Sequence, residues 1–272
     1  MFSNHPKGLK VLFYTELWER MSYYGMRGLL VLFMTASISE GGLNYSNVSA
    51  SAIYGIYASL VYLLALPGGW IGDRILGQQK AILYGGLTIT LGHFILAINY
   101  TSTFFFGLAF VVLGTGLLKP NISALVGGLY EKKEELKQSG FTLFYMAINV
   151  GSILGFFICG YLGEKIGWHY GFSAAGFGMA LGIIRYKYSL PILGKIGLKP
   201  NLKITNSEKR RDIRLILFSL TLIFIFLLSG IFGVIKVDPI PLANILTLVI
   251  ASIAILYFLY IFLFGNLNTK EK

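Results

Sequence analysis

Residues 10–36 read KVLFYTELWERMSYYGMRGLLVLFMTA, an apolar segment of membrane-spanning length that nonetheless carries Glu16, Glu19, Arg20 and Arg27. As an α-helix the segment advances about 100° per residue. Taking Glu16 as the origin, Glu19 falls near about −60°, Arg20 near about +40°, Tyr23 near about −20° and Arg27 near about +20°. The charged groups and one tyrosine thus share a stripe of roughly 100°, and Leu17, Leu29, Leu30, Val31, Leu32 and Phe33 make up much of the rest. One charge at a bilayer centre costs roughly 2.5–3.5 kcal/mol on the insertion scale. Four on one helix require partners or water, and a common face is how a helix lines a hydrated cavity. A structural ion-pair knot is the alternative use of the same stripe.

The rest of the chain has the same character. Of its 272 residues 55% are hydrophobic and 13% charged, well below the roughly 25% charge of soluble domains. The apolar residues gather in eight blocks, at 10–36, 50–71, 81–99, 104–129, 140–162, 170–188, 215–235 and 241–264. Each is near the length a membrane helix needs. Short alternating strands, the mark of an outer-membrane barrel, are absent from the pattern. Helices are the remaining way to satisfy a lipid-exposed backbone. The expected fold is therefore all-α and integral to the membrane.

The net charge of +11 does not point to nucleic acid, because the basic residues sort by loop. Arg20, Arg27 and Lys119 lie well inside apolar blocks, and Lys165 and Lys236 lie in loops expected outside. The other 18 of the 23 Lys and Arg cluster at the N-terminus, the alternate loops and the C-terminus. This asymmetry predicts cytoplasmic termini, as does an even number of spans. Cys159 is alone, which excludes a disulfide or a cysteine-built zinc site. Charges in the first block argue against a cleaved signal peptide. There is no HExxH or GxSxG sequence, and the three histidines, His5, His93 and His169, suggest no catalyst. An enzyme is not expected.

Three segments follow from this patterning: a six-helix bundle at 1–190, a basic cytoplasmic linker at 191–214 and a helix pair with a short tail at 215–272. The linker carries Lys195, Lys199, Lys203, Lys209, Arg210, Arg211 and Arg214, with Pro191 and Pro200 as breakers, and is expected on anionic headgroups. The last two blocks carry no charge and read as a lipid-facing pair. Gly69-x-x-Gly72-Asp73-Arg74 and Gly160-x-x-Gly163-Glu164-Lys165 end the second and fifth blocks, 91 residues apart. One end is expected inside and the other outside, as in an inverted three-plus-three repeat. In the fourth block Lys119 precedes Pro120, which should bend the helix. Glu16 and Glu19 are the carboxylates well inside an apolar block, so Lys119 is expected to pair with one of them. Protonating that glutamate would release the lysine.

Glu16-Leu17-Trp18-Glu19-Arg20-Met21-Ser22-Tyr23-Tyr24-Gly25 resembles the ExxER-[FM]-x-YYG signature of the proton-dependent oligopeptide transporter (POT/PTR) family. His5-Pro6-Lys7-Gly8-Leu9 is similar to its lead-in, and residues 68–77 to its loop between helices two and three. Lys119-Pro120-Asn121-Ile122-Ser123 resembles its fourth-helix lysine region, and residues 141–152 its fifth-helix signature. The resemblance implies a major-facilitator-type half bundle and proton-coupled uptake of di- and tripeptides across a bacterial inner membrane, with protons as coupling ion and no cofactor. It implies a proton-coupling network of Glu16, Glu19, Arg20 and Lys119. It implies peptide contacts from Tyr23, Tyr24, Arg27, Tyr62, Lys119 and Asn149. The last two helices resemble the extra pair of bacterial members. The match reaches the first half of the family only, so the expectation is a half-transporter whose second bundle comes from another chain. A transport-inactive remnant is the alternative. Gln78-Gln79-Lys80 departs from the family's usual basic density in that loop.

Overall fold

Pro120 sits inside an unbroken helix rather than ending one. Lacking an N–H, it leaves the carbonyl of Gly116, one turn earlier, without its helical partner. That oxygen abuts the Cα of Gly68 on the neighbouring span, where a methyl group would collide with it. Asn121 secures the same crossing: its side-chain amide donates to Leu117 O at 2.7 Å and to Gly68 O at 3.0 Å.

This junction belongs to a computed structural model that describes residues 2–98, 101–232, 234, 235 and 237–265. The external-loop Lys236, the predicted span end Asn99 and the tail 266–272 lie outside the described residues. The helices are α1 (Lys7–Thr35), α2 (Asn47–Leu63), α3 (Ala65–Ile71), α4 (Gln78–Leu96), α5 (Thr101–Gly128), α6 (Lys137–Lys165), α7 (Trp168–Leu193), α8 (Asn206–Ile231) and α9 (Pro239–Phe264). A π-helical turn, Gly72–Leu76, continues α3, so α2, α3 and this turn form one span, Asn47–Leu76. No strand occurs among the described residues.

Among the described residues five segments are long and apolar enough to cross a membrane: the α2–α3 span, α5, α6, α8 and α9. Helices α1, α4 and α7 fall short on apolarity although the sequence places spans there. Each packs on at least two other helices: α1 against α6 and α7, and α4 against α5 and α7. A helix shielded from lipid tolerates glycine and charge. Helices α8 and α9 show the opposite. Nothing in their most apolar windows is buried, and α9 leans on α2 while α8 barely touches α5.

The inverted repeat is visible in the packing. Moving α1, α2–α3 and α4 forward by 91 residues lands on α5, α6 and α7 within a few positions. The principal contacts exchange under the same operation: α1 with α6 becomes α5 with α3, and α1 with α7 becomes α5 with α4. Even single approaches correspond. Gly68 lies against Gly116, and Cys159 lies against Gly25, each pair related to the other by the 91-residue shift. The two acidic motif copies stand at opposite ends. Asp73 Oδ1 accepts from Asn201 at 2.9 Å beside the linker, while the end of α6 leads to Trp168, whose indole donates to Glu40 O at 2.9 Å.

The linker departs from expectation. Pro191 lies within α7, which ends at Gly194 in a left-handed conformation (φ +59°). The chain that follows docks on the bundle. Gln79, buried, donates to Gly194 O at 3.0 Å and Ile196 O at 2.7 Å, and its own N–H reaches Gly197 O at 2.9 Å. Gln79 is therefore the dock: a neutral amide can be buried at little cost when hydrogen-bonded, and a lysine cannot.

Close helix crossings make a stability prediction. A methyl on Gly155 would meet Met21 O and, at 2.8 Å, Gly25 N, all backbone. Gly155→Ala should lose about 1–3 kcal/mol, read as a lower thermal midpoint in detergent. Gly160→Ala, with nothing within 4 Å, should keep the wild-type midpoint.

Candidate functional site

The charged stripe of α1 faces α5 across the bundle. Glu16 is fully buried, Glu19 likewise, and Arg20 is 5% exposed. Lys119 Nζ donates to Glu16 Oε1 at 2.9 Å. Arg20 Nε lies 3.4 Å from the same oxygen. Arg20 also grips Glu19 through both Nε and an amino group. The four side chains thus form a continuous series, Lys119–Glu16–Arg20–Glu19, with no net formal charge. Fork geometry suits Arg20 to hold two carboxylates at once. Of the two acids the sequence leaves open for Lys119, the structure brings Glu16 to it.

The cluster is balanced but not closed. Glu16 Oε2 is buried and has no hydrogen-bond partner, whereas the Lys119 side chain is 36% exposed. One end of the series is sealed in protein and the other reaches an open face.

The aromatic residues extend it. Arg20 lies over the ring of Tyr23 at 4.7 Å and near that of Tyr24 at 5.8 Å, in cation–π geometry. Tyr23 in turn stacks on Tyr57 of α2, with ring centroids 6.4 Å apart and planes at 28°. Arg27 pairs with no carboxylate among the described residues. Its Nε donates to the hydroxyl of Tyr54, over whose ring it lies at 5.3 Å. It is a half-buried cation with a neutral partner.

Glu16, Glu19, Arg20, Lys119, Tyr23 and Tyr24 are thereby joined by direct contacts, and Arg27, one helical turn beyond Tyr23, forms a separate pair with Tyr54. Tyr62 and Asn149 are joined to neither group by a hydrogen bond or ring contact. Tyr62, 73% exposed, borders an apolar recess of about 270 Å³ with Ser59, Leu63, Leu66 and Ile250 of α9. Asn149 lies exposed on α6. Tyr54 and Tyr57 are the residues sequence reasoning missed. Their three-residue spacing in an apolar block puts both hydroxyls on one face of α2, which is the available signal. No cluster of metal-ligating side chains occurs among the described residues.

Comparisons with known proteins identify the family of the chain. Residues 79–223 match the POT family. The chain is 39% identical to the peptide transporter YePEPT of Yersinia enterocolitica, over all of this chain and 55% of that protein. It is 38% identical to a di-/tripeptide transporter of Lactococcus lactis subsp. cremoris, again over all of this chain and 55% of the relative. A crystal structure of a peptide transporter POT in complex with sulfate superimposes with a TM-score of 0.87 at 37% identity, covering 99% of this chain and 55% of that one. A POT family transporter in complex with 5-aminolevulinic acid also gives 0.87, at 33% identity, over 99% and 56% of the two chains. The chain spans about half the length of the curated relatives it matches.

The ion-pair series supplies its own test. Lys119→Ala and Glu16→Gln each strip a partner from a buried network, so each should destabilise the bundle. The double variant should cost less than the sum, by a coupling of about 0.5–3 kcal/mol. A thermodynamic cycle from denaturant unfolding in micelles checks this, and strict additivity would mean the 2.9 Å contact carries no energy. From its all-helical multi-pass architecture, its sequence matches and its superposition on transporter structures, the chain belongs to the POT family of membrane transporters.

Proposed function

We propose that this chain forms the proton-coupling and carboxylate-binding wall of a transporter for di- and tripeptides. The observation that carries the reading is the one-ended series Lys119–Glu16–Arg20–Glu19. Glu16 is the hinge of the mechanism. As a carboxylate it holds Lys119. On taking a proton, at the free Oε2 or at Oε1, it loses its charge and its grip on the ammonium. Lys119 then swings into the open face as a free cation. There, with Arg27, it binds the carboxylate of a peptide, while Tyr23 and Tyr24 border the path and Tyr62 and Asn149 offer polar atoms to the peptide backbone. Loss of the proton restores the Lys119–Glu16 pair and expels the carboxylate. Proton and peptide therefore favour the same state, which is the thermodynamic content of symport. Glu19 stays bound to Arg20, which bridges the two acids.

The reading places both termini on the cytoplasmic side of a bacterial inner membrane, in line with the distribution of basic residues. Alternating access requires a second six-helix bundle to close against this one. The exposed polar groups of Lys119, Tyr62 and Asn149 are the edge such a bundle would cover.

Uptake of a labelled dipeptide into proteoliposomes under an inward proton gradient tests the proposal, with this chain alone and with a partner chain that supplies the second bundle. Gradient-driven uptake should need the partner and should fall at least about tenfold in Glu16→Gln and in Lys119→Ala, since removing one interaction essential to the coupled state costs at least about 1.4 kcal/mol. Counterflow at equal pH should survive better in Glu16→Gln, which mimics the protonated form. Gradient-driven uptake that both variants leave unchanged would refute the coupling role.

A further inference from the structure

Helix α8 touches the bundle sparsely, through a ring contact of Phe224 with Phe106 of α5 and, at its first turns, through one buried ion pair that fixes its rotation. Asp212 is fully buried, and Arg74 Nε of the π-helical turn donates to its Oδ2 at 3.0 Å. The chain just before α8 is anchored to the same turn: Leu202 N donates to Asp73 O at 3.0 Å. With Asp212 turned to the bundle, the other side chains of these turns have set directions. Glu208, about 40° from Asp212, shares the inward side and closes a capping box on Thr205. Arg210 and Arg214 lie about 160–200° away from Asp212, within about 40° of one another. Both are exposed. The acids and the arginines are thus segregated onto opposite faces.

Arg210 and Arg214 are one helical turn apart, a like-charge pair that repels. No carboxylate balances either of them among the described residues, whereas Arg211, at the side, leans 3.3 Å from Asp212. Immediately after Arg214 the helix becomes apolar and exposed: Leu217, 58% exposed, follows on the arginine face. The two guanidiniums therefore stand where a helix leaves the headgroup layer and enters hydrocarbon. Paired guanidiniums about 6 Å apart along the axis match a phosphodiester, which each can bind with two N–H groups. An acyl chain below would lie along Leu217.

We propose that Arg210 and Arg214 form a docking site for the headgroup of an anionic phospholipid, oriented toward the lipid by the Arg74–Asp212 pair. The ligand supplies the negative charge that the helix face lacks. The site also gives the lone Asp212 a purpose: it is a rotational key for a helix with few other contacts.

The experiment is native mass spectrometry of the full chain, released from nanodiscs holding phosphatidylglycerol and phosphatidylcholine of matched acyl chains. Wild type should retain phosphatidylglycerol preferentially. Arg210→Gln/Arg214→Gln should weaken that retention by about fivefold per side chain removed. Lys132→Gln/Lys133→Gln, which removes two exposed cations from the loop between α5 and α6, should retain it as wild type does. Arg210→Lys/Arg214→Lys, with charge kept and the fork lost, should fall between, and confirms folding of the altered helix. Equal loss in the loop variant would overturn the proposal in favour of a diffuse basic surface. So would no loss in the arginine pair, or displacement of the lipid by inorganic phosphate at equal concentration.

Discussion

A single carboxylate oxygen, Glu16 Oε1, receives a lysine from α5 and an arginine from α1. The first and fourth spans are the two helices that the internal repeat exchanges, so this contact lies where the halves of the bundle meet. The other members of the charged series, Arg20 and Glu19, follow from it. Arg20 hands the charge on to Glu19, and its face is covered by tyrosines rather than lipid. A charge pair buried this way stabilises the fold weakly compared with an apolar substitute. What it adds is a fixed geometry: two acids and two bases held as one series between α1 and α5.

The glycine crossings allow that arrangement. Where α1 meets α6 and α3 meets α5, backbone touches backbone, and the helices approach closely enough for side chains as short as glutamate to reach across the core. Pro120 participates indirectly. Its missing N–H frees the Gly116 carbonyl beside Gly68, so the sequence feature expected to bend α5 instead joins it to the neighbouring span. Asn121, next in sequence, completes the joint with two hydrogen bonds.

Legibility in the sequence followed the physics of each feature. The polar stripe on α1 was readable because charge in an apolar segment is costly and helical period is fixed. The pairing of Lys119 with an acid was readable by elimination, although which acid was not, since Glu16 and Glu19 differ by about 60° on the helix and either could reach. Tyr54 and Tyr57 escaped notice because a tyrosine in an apolar block is unremarkable until its neighbour across the interface is known. The fate of the linker was hidden for a similar reason. Its lysines advertise lipid, but Gln79 is what holds it, and an amide announces no partner. The repeat was visible only as a six-residue echo, whereas in the packing it relates whole helices.

The order in which these partners leave the ribosome has a consequence of its own. Glu16 and Lys119 are 103 residues apart. At about 5–20 residues per second of synthesis, the first span waits roughly 5–20 s before its counter-ion on α5 exists. Throughout that interval Glu16 and Glu19 share one arginine, and the nascent helix carries an acid that bulk lipid would reject. The swapped pairing of the repeat sharpens the problem, because α1 finds its close neighbours in α6 and α7, still later in the chain. Newly made α1 must therefore be sheltered at the insertion machinery until the second triplet arrives, which makes biogenesis of this fold a late, collective event rather than a helix-by-helix one.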